Sequence, residues 1–389
     1  MHRIENLITG LCPNGVPFTD IKSVAEVGTG SSNGNEADEN GLYPFFIRSK
    51  TVKLKCSYEY DEEAIIIPGE GGVGEIFHYI NGKYALHQRV YRIHFTEPSI
   101  DTRFVYYYME AFFKKFILRK AVSATVTSIR KPMIESFQIP VPPLEVQQEI
   151  VRILDQFTEL TAELTAELTA RKEQYKYYSF SLLNKATDTK RIPVSSLGTW
   201  CGGCTPSMAN PAFWSNGNIP WVSSKDMKTP LLADTQDHIT QDALIQTPIK
   251  LLPKNTIAIV ARSGILKHTL PVVFIPFETT VNQDIKALTV APNVDPRYAY
   301  HAINANSDDI LRKAKKQGGT VDSLDIQKFM NYLVPLPPLP EQRRIVSILD
   351  HFDALCNDLT SSLPAEIAAR QKQYEYYRDK LLTFKKREG

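Results

Sequence analysis

The sequence predicts an α+β protein formed by tandem duplication, in which two globular α/β domains are separated by a pair of long antiparallel coiled-coil helices. Three observations support this prediction. A long segment occurs twice, each copy continues with heptad-spaced apolar residues, and shorter matches repeat in the same order between the copies. Two similar halves that pair through their helices would be related by a pseudo-twofold axis.

The long repeat is the clearest sign of duplication. Residues 139–157 read IPVPPLEVQQEIVRILDQF, and residues 334–352 read VPLPPLPEQRRIVSILDHF. Farther along the chain, RKEQYKYYSFSLLN from Arg171 matches RQKQYEYYRDKLLT from Arg370. Self-similarity at a nearly constant offset, about half of the 389 residues, indicates two structural units of the same kind.

Shorter matches extend the repeat into the globular parts. Ile117–Ala121 recurs unchanged as Ile310–Ala314, and Thr125–Ile129 returns in related form as Thr320–Leu324. Because these matches keep the order of the long repeat, chance does not explain them. We therefore predict a chain of four segments. They are a first globular domain at 1–138, a first helical spacer at 139–185, a second globular domain at 186–333 and a second helical spacer at 334–389.

Weaker matches support the same alignment. Asp101–Tyr106 resembles Asp295–Tyr300, and His87-Gln88 corresponds to Asn282-Gln283. These positions lie in the predicted globular domains, which indicates that the duplication included the domains as well as the helices.

Each helical spacer is predicted from its first residues and its apolar spacing. Pro140–Pro143 and Pro335–Pro338 favour an extended entry followed by a first helical turn. Apolar residues then recur every three or four positions, which is the heptad seam of a coiled coil. Pro364 would kink or restart the second helix, with Ser361 or Ser362 as its cap. The predicted seam residues are Ile150, Ile153, Phe157, Leu160, Leu164, Leu168, Tyr175, Tyr178, Ile345, Ile348, Phe352, Leu355, Leu359, Tyr374 and Tyr377.

Residues 161–168 contain the phrase Thr-Ala-Glu-Leu twice. Four residues lengthen a helix by about 6 Å while keeping the apolar seam nearly in phase. The repeat therefore indicates an adjustable length in a helix that would measure about 60 Å from Leu144 to Asn184. Paired rods of set length would hold the globular domains at a set distance, which suits two separated half-sites on DNA.

Composition excludes several classes of protein. An apolar content of 43% and a charged content of 23% are ordinary for a globular domain. No uncharged apolar stretch of about 18 residues exists, and the first residues do not resemble a signal peptide, so a cytoplasmic location is expected. Five cysteines make a poor disulfide framework. The net charge of +2 would confine any DNA-binding surface to a local patch.

These motifs together resemble the specificity subunit of type I restriction and modification systems, over essentially the whole length. The marks of that family are PLPPLxEQxxIVxILD at 335–350, QYEYYRDKLL at 373–382 and the TAEL repeats. The resemblance implies two target-recognition domains for a bipartite DNA sequence. It also implies that the helices dock two methyltransferase subunits, and that the number of TAEL units sets the spacer length of the DNA target.

The same resemblance implies that the chemistry belongs to partner subunits. Methyltransferase subunits would bind S-adenosylmethionine and flip the target adenine, and a restriction subunit would use ATP and Mg²⁺. This chain would hold no cofactor, no metal and no catalytic residue. It would bind double-stranded DNA and no membrane.

Basic and amide side chains near predicted turns are the candidate DNA contacts, because phosphates attract Lys and Arg while base edges pair with Arg and Gln. A charged run is also typical of a solvated helix face, so both interpretations stay open. Turns at Gly69–Gly74 and Gly264 would let the backbone approach DNA, or would serve only as tight turns. The candidates are Arg48, Lys50, Gln88, Lys114, Lys115, Arg119, Lys120, Arg130, Lys131, Lys225, Arg262, Gln283, Arg312, Lys313, Lys315 and Lys316.

Two other functions remain compatible with parts of the sequence. One is a self-contained DNA methyltransferase, because Asn210–Phe213 approaches the Asn-Pro-Pro-Phe loop of amino-methyltransferases, although the second proline and a convincing Gly-rich cofactor loop are missing. The other is a coiled-coil assembly scaffold without sequence specificity. Cys201 and Cys204 resemble a redox CxxC pair, but Thr205-Pro206 follows instead of a helix N-terminus, so a turn with two ordinary thiols is favoured.

Overall fold

The computed structural model describes residues 2–120, 128–184, 189–316, 321–357 and 363–387. The chain divides into two compact units: unit 1 comprises Met1–Thr165 and Glu366–Gly389, and unit 2 comprises Ala166–Ala365. Unit 1 therefore contains the start of the first helical spacer and the end of the second. Unit 2 contains the end of the first spacer and the start of the second.

Unit 1 is a mixed α and β unit. Its strands are β1 (Phe18–Asp20), β2 (Ala25–Thr29), β3 (Tyr43–Phe46), β4 (Lys53–Lys55), β5 (Tyr60–Pro68), β6 (His78–Leu86), β7 (Val90–Phe95) and β8 (Gln138–Pro140). Its helices are α1 (His2–Leu11), α2 (Thr102–Lys120), α3 (Lys131–Glu135) and the first part of α4 (Leu144–Asn184).

Six of these strands form one sheet in the order β2-β7-β5-β6-β3-β4. Strand β5 lies in its middle and carries three successive isoleucines that are fully buried. Ile65 and Ile67 pack with the helical side that includes Phe104 and Phe113, whereas Ile66 packs on the opposite side with Tyr84. The continuous apolar run is therefore explained by a central strand that is covered on both faces.

The end of the chain completes unit 1. The amide of Val16 donates to the carbonyl of Lys385 at 2.9 Å, and the amide of Arg387 donates to Val16 at 2.9 Å. Gly15 makes this approach possible, since its φ is +85° and a Cβ there would lie 2.5 Å from the Lys385 carbonyl oxygen. Nearby, β1 pairs with β8 immediately before α4 begins.

Unit 2 has a related set of elements. Its strands are β9 (Arg191–Pro193), β10 (Gly198–Gly202), β11 (Ile219–Val222), β12 (Asp237–Ile239), β13 (Thr256–Val260), β14 (Val272–Ile275), β15 (Thr280–Val281), β16 (Ile285–Val290) and β17 (Leu333–Pro335). Its helices are the rest of α4, α5 (Gln241–Gln246), α6 (Pro296–Ala305), α7 (Ser307–Ala314), α8 (Ile326–Met330) and α9 (Leu339–Asn357).

The strands of unit 2 repeat the pairing of unit 1 with one break. The four-stranded sheet β10-β16-β13-β14 corresponds to β2-β7-β5-β6, and β12-β11-β15 corresponds to the edge formed by β3 and β4. In unit 1 one long strand, β6, pairs with both β5 and β3 and so joins the two parts into one sheet. In unit 2 the same part of the chain is divided into β14 and β15. The described residues of unit 2 therefore form three separate sheets, the third being β17-β9.

The helical spacers agree with the predicted pattern. Helix α4 is continuous over 41 residues and includes both TAEL units. The hydroxyls of Thr161 and Thr165 donate to the backbone carbonyls four residues earlier, at 2.8 and 2.7 Å. The threonine hydroxyls of the repeat are therefore hydrogen-bonded to the backbone of their own helix. Helix α9 ends at Asn357 and α10 (Leu363–Leu381) begins with Pro364 in its first turn, which is the predicted restart.

Some of the predicted seam residues lie at contacts between helices of one unit. In unit 1, Ile150 and Ile153 are buried and the ring of Phe157 stacks on Tyr377 at 5.6 Å. In unit 2, Tyr178 stacks on Phe352 at 6.3 Å. Leu160, Leu164, Leu168, Tyr175, Ile348 and Tyr374 are half-buried, and Ile345 is buried. The side chain of Leu355 and all of Leu359, Ser361 and Ser362 lie outside the described residues.

One hydrogen-bond network joins the globular part of unit 1 to α4. The Gln147 side chain is 1% exposed. Its Oε1 accepts from the amide of Asp101 at 2.8 Å, and its Nε2 donates to two backbone carbonyls at 2.8 and 2.7 Å. About two turns farther along α4, Asp155 Oδ1 accepts a hydrogen bond from Arg103 Nε at 2.8 Å.

Unit 2 repeats that network with equivalent residues. Gln342, also 1% exposed, accepts from the amide of Asp295 at 2.8 Å and donates to two carbonyls at 3.1 and 2.8 Å. Arg297 Nε donates to Asp350 Oδ1 at 3.1 Å. Because buried polar groups are costly when unpaired, the network holds each globular part against its helix in one orientation.

Candidate nucleic-acid interface

In unit 1, strand pairing brings three candidate residues to one edge of the sheet. Strands β3 and β6 run parallel and end together, and the amide of His87 donates to the Phe46 carbonyl at 3.0 Å. Gln88 follows β6 directly, while Arg48 and Lys50 follow β3. All three side chains are exposed. This pairing explains why residues forty positions apart in sequence can act on one ligand.

A glycine-rich loop at 69–75 lies against this edge and carries an acidic residue. Glu70 Oε2 accepts from Arg48 Nη1 at 3.0 Å and from Arg89 Nη1 at 3.1 Å. Hydrogen bonds from Arg89 and Arg48 lower the pKa of Glu70. Burial, followed by the charges of the two arginines, lowers the pKa of His87, which lies beneath them. At this edge, one carboxylate, that of Glu70, therefore pairs with two arginines. The neutral form of the nearby His87 is favoured.

The same loop contacts helix α2. Lys114 forms an ion pair with Glu75, and a Cβ at Gly74 would lie 3.2 Å from the Lys114 Cα. The amide of Ile129 donates to the Gly69 carbonyl at 2.7 Å, which places the exposed Arg130 next to the loop. The structure therefore brings Lys114 and Arg130 together with the β3 edge.

The other candidates of unit 1 extend away from that loop. Lys115 and Arg119 are exposed on α2, and Lys115 lies 5.9 Å from the Phe112 ring centroid. Lys131 forms a helical ion pair with Glu135 at 3.6 Å. The backbone of Lys120 ends α2, and its side chain lies outside what the structure describes.

Unit 2 presents an edge of the same backbone design. The amide of Asn282 donates to the Val222 carbonyl at 2.9 Å, as His87 does in unit 1, and Gln283 follows. The Gln283 side chain accepts from the Thr205 hydroxyl. Arg262 Nε pairs with Asp284 Oδ1 at 3.1 Å. Lys225 pairs with Asp237 at 3.8 Å.

The segment 322–324 connects this edge to a second basic group. The amide of Leu324 donates to the Ala261 carbonyl at 2.8 Å, the counterpart of the contact between Ile129 and Gly69. Lys315 pairs with Asp322 at 3.1 Å, and both line an open pocket of about 680 Å³. The other charged side chains of this pocket belong to Lys267, Asp308, Arg312 and Lys316.

Lys313 does not join that group. Asp309 accepts hydrogen bonds from Lys313 at 2.7 Å and from the Tyr332 hydroxyl at 2.7 Å, and it also pairs with Arg312. These bonds, led by that of Lys313, lower the pKa of Asp309 to about 2. The basic run predicted as one patch is therefore divided: Lys315 and Lys316 lie in the pocket, Lys313 lies on Tyr332, and Arg312 borders both.

Two basic residues at these edges are absent from the sequence-based candidates. Arg89 shares Glu70 with Arg48, and Lys267 lines the pocket of unit 2. Arg89 directly follows the repeated His87-Gln88 pair, so its position was a usable signal. Lys267 lies in a short 3-10 helix at Gly264–Lys267, and its relation to Lys315 depends on long-range folding.

The motifs that suggested other chemistry have structural roles. Cys201 lies in strand β10, opposite Ala287, and not in a turn as predicted, because the strand continues through the first cysteine. Burial raises the pKa of its thiol, which disfavours a reactive thiolate. Asn210 accepts from the Ala212 amide at 3.1 Å and caps a short helix, while Phe213 is buried.

Metal-ligating clusters and membrane-spanning helices are both absent from the described residues. No group of three or more His, Cys, Asp or Glu side chains in those ranges is placed to hold a metal ion. None of the helices in the part of the chain that the structure describes combines the length and apolar character needed to cross a membrane.

Comparison with known proteins decides the family. The sequence model described as "Type I restriction modification DNA specificity domain" matches residues 13–174 and 193–369, once in each half of the chain. The chain belongs to this family. A type I restriction enzyme specificity subunit of Escherichia coli is 47% identical over 259 residues, which are 64% of each chain. A predicted type I specificity subunit of Haemophilus influenzae is 30% identical over 362 residues, 89% of each chain.

Solved structures show the fold of this specificity subunit. The S subunit of a type I restriction-modification system from M. genitalium aligns with a TM-score of 0.58 at 15% identity, covering 95% of this chain and 96% of that chain. A chain from a structure that concerns complex assembly of the type I system aligns with a TM-score of 0.63 at 11% identity, covering 95% and 98%. The predicted α+β duplication is therefore confirmed as the S-subunit fold.

Proposed function

We propose that this specificity subunit is a non-catalytic DNA reader of a type I restriction-modification complex, and that units 1 and 2 each read one half of a bipartite double-stranded target. The observation that supports this is the duplicated edge. In each unit a glutamine at the equivalent position, Gln88 or Gln283, follows the parallel strand pair. An arginine at a non-equivalent position, Arg48 or Arg262, lies near a glycine-containing turn of its unit.

The chemistry of both edges suits DNA. Arginine and lysine neutralise phosphates and supply affinity, whereas Arg and Gln side chains form paired hydrogen bonds with guanine and adenine edges. The two edges share backbone hydrogen bonds and differ in most side chains. A shared frame with different side chains is what two readers of unlike half-sites require.

We further propose that the helices dock the methyltransferase subunits, one on each repeat. Tyr177 and Tyr376 occupy equivalent positions in the two copies and are 62% and 63% exposed. Each rests edge-on against the next tyrosine of its helix, with centroids 5.6 and 5.2 Å apart. Exposed aromatic side chains are typical anchors of protein interfaces. Tyr177→Ala and Tyr376→Ala should each remove one methyltransferase subunit from the complex, as measured by native mass spectrometry.

The remaining parts of the proposal concern the partners. S-adenosylmethionine would bind the methyltransferase subunits, ATP and Mg²⁺ would serve the restriction subunit, and the complex would act in the cytoplasm. The continuous α4 supports the spacer hypothesis, since one four-residue unit adds about 6 Å, close to the rise of two base pairs.

A binding experiment tests the reader function. The target is first mapped by sequencing methylated adenines in cells that carry the full complex. The complex of this chain with its methyltransferase subunits is then titrated with a target duplex and a scrambled duplex. We expect selective binding that weakens at least tenfold between 50 and 200 mM salt. Equal binding to both duplexes would favour a scaffold, and S-adenosylmethionine binding by the isolated chain would favour a self-contained methyltransferase.

A further inference from the structure

The proposed DNA-binding edge of unit 1, at the ends of β3 and β6, carries a carboxylate side chain, that of Glu70. Glu70 Oε2 lies 3.0 Å from Arg48 Nη1 and 3.1 Å from Arg89 Nη1, so one carboxylate oxygen bridges two guanidinium groups. We propose that Glu70 is an internal substitute for a DNA phosphate: it occupies both arginines in the free subunit and releases them to the target strand on binding. This inference rests on the proposed reader function.

The exposure of the three side chains makes an exchange feasible. Glu70 is 40% exposed, Arg48 is 45% exposed and Arg89 is 58% exposed. Exposed ion pairs contribute little net stability, so a phosphate can replace the carboxylate without a large cost. Neutralising a backbone phosphate also releases condensed counterions from the duplex, which favours the replacement near DNA.

The loop that carries Glu70 has the backbone for such a movement. Gly71, Gly72 and Gly74 all have positive φ, at +79°, +115° and +69°. A Cβ at Gly71 would lie 3.0 Å from the Arg48 carbonyl oxygen, so the loop packs directly on the strand end that it covers. Glycine lowers the barrier between backbone conformations. The loop can therefore fit closely in the free subunit and still change conformation.

A second acidic residue of the loop repeats the arrangement. Glu75 pairs with Lys114, and a hydrogen bond from Lys114 lowers the pKa of Glu75. Three cations of the unit 1 edge are thus held by two carboxylates of one loop. The consequence is a binding threshold: any duplex must supply enough favourable contacts to displace the loop, so weak non-specific binding falls to a low occupancy.

Glu70→Gln tests the inference, with Glu97→Gln as the matched control. Both variants remove one negative charge. Arg89 lies just before the start of β7, whereas Glu97 lies just after its end, away from the proposed DNA-binding edge. The full complex is titrated with a non-specific duplex over a range of salt. We expect E70Q to bind the non-specific duplex several-fold more tightly than the wild type. The slope of log K against log salt should steepen by about one to two, and E97Q should resemble the wild type.

Three other outcomes have distinct meanings. If E70Q and E97Q bind non-specific DNA equally, the substitute role is overturned. If E70Q loses discrimination at one base pair of the target, Glu70 reads a base, as carboxylates do at cytosine, and the substitute role is again overturned. If the double variant R48Q and R89Q binds the target as the wild type does, the edge does not contact DNA, and the proposed reader surface fails with the inference.

Discussion

Units 1 and 2 are alike where they join the helices and different where they face the proposed DNA. The helix network uses the same residue types at the same places, Gln147 and Gln342 with their Arg–Asp pairs. The outer edges keep the backbone frame and one glutamine, Gln88 or Gln283, and differ in most other side chains. Unit 1 pairs its arginines with a carboxylate of a glycine-rich loop, whereas unit 2 pairs Arg262, just after β13, with Asp284, just before β16. The difference agrees with the proposal that the helix side serves one common partner and the outer edges serve two targets.

The largest expected effect comes from breaking the part that the units share. Gln147→Leu and Gln342→Leu should each lower the local stability of their own unit by about 3 kcal/mol, because several buried backbone groups lose their partners. Hydrogen–deuterium exchange of each unit measures this. Gln148→Leu, an exposed neighbour, is the control and should change little. Unequal losses in the two units would show that the networks are not equivalent.

A smaller effect should follow from changing the part that differs. Arg48→Gln and Arg262→Gln should each weaken target binding by about tenfold and relax recognition in only one half-site. Methylation mapping with each variant provides the measurement. Relaxation of both half-sites by a single variant would contradict the assignment of one half-site to each unit.

The smallest effect concerns a feature that only unit 2 has. Asp309, with a pKa of about 2, has Phe116 at its counterpart in unit 1. A lowered pKa adds stability above the ordinary value of 3.8, and this contribution is lost as pH falls toward 2. Asp309→Asn should therefore cost unit 2 about 1 kcal/mol at pH 7 and much less near pH 2.5.

Denaturation curves at several pH values check this prediction against Asp308→Asn, which removes a neighbouring carboxylate that is 63% exposed. A cost for Asp309→Asn that stays the same down to pH 2.5 would contradict the assigned cause.

The sequence predicts the helical part better than the edges, for a physical reason. Heptad spacing and proline act locally, so the extent of α4 from Leu144 to Asn184 and the restart at Pro364 follow from neighbouring residues. Residues that are identical in both copies, such as Arg103 and Arg297, belong to the shared network, but the repeat alone did not specify their partners.

The edges depend on distant parts of the chain. The contact of Arg48 with Glu70 requires that β3 lies beside β6, forty residues later in sequence, and the repeat does not specify that pairing. The division of the basic run near Lys313 is similar, since it depends on Tyr332. Charge counts along the chain show neither arrangement.

Deleting one TAEL unit, residues 161–164, tests the central claim most directly. If the two units read half-sites at a distance set by α4, methylation mapping of the variant should find the same two half-sites with a spacer shorter by about one to two base pairs. Methylation that keeps the original spacer, or that changes the half-sites themselves, would contradict the account.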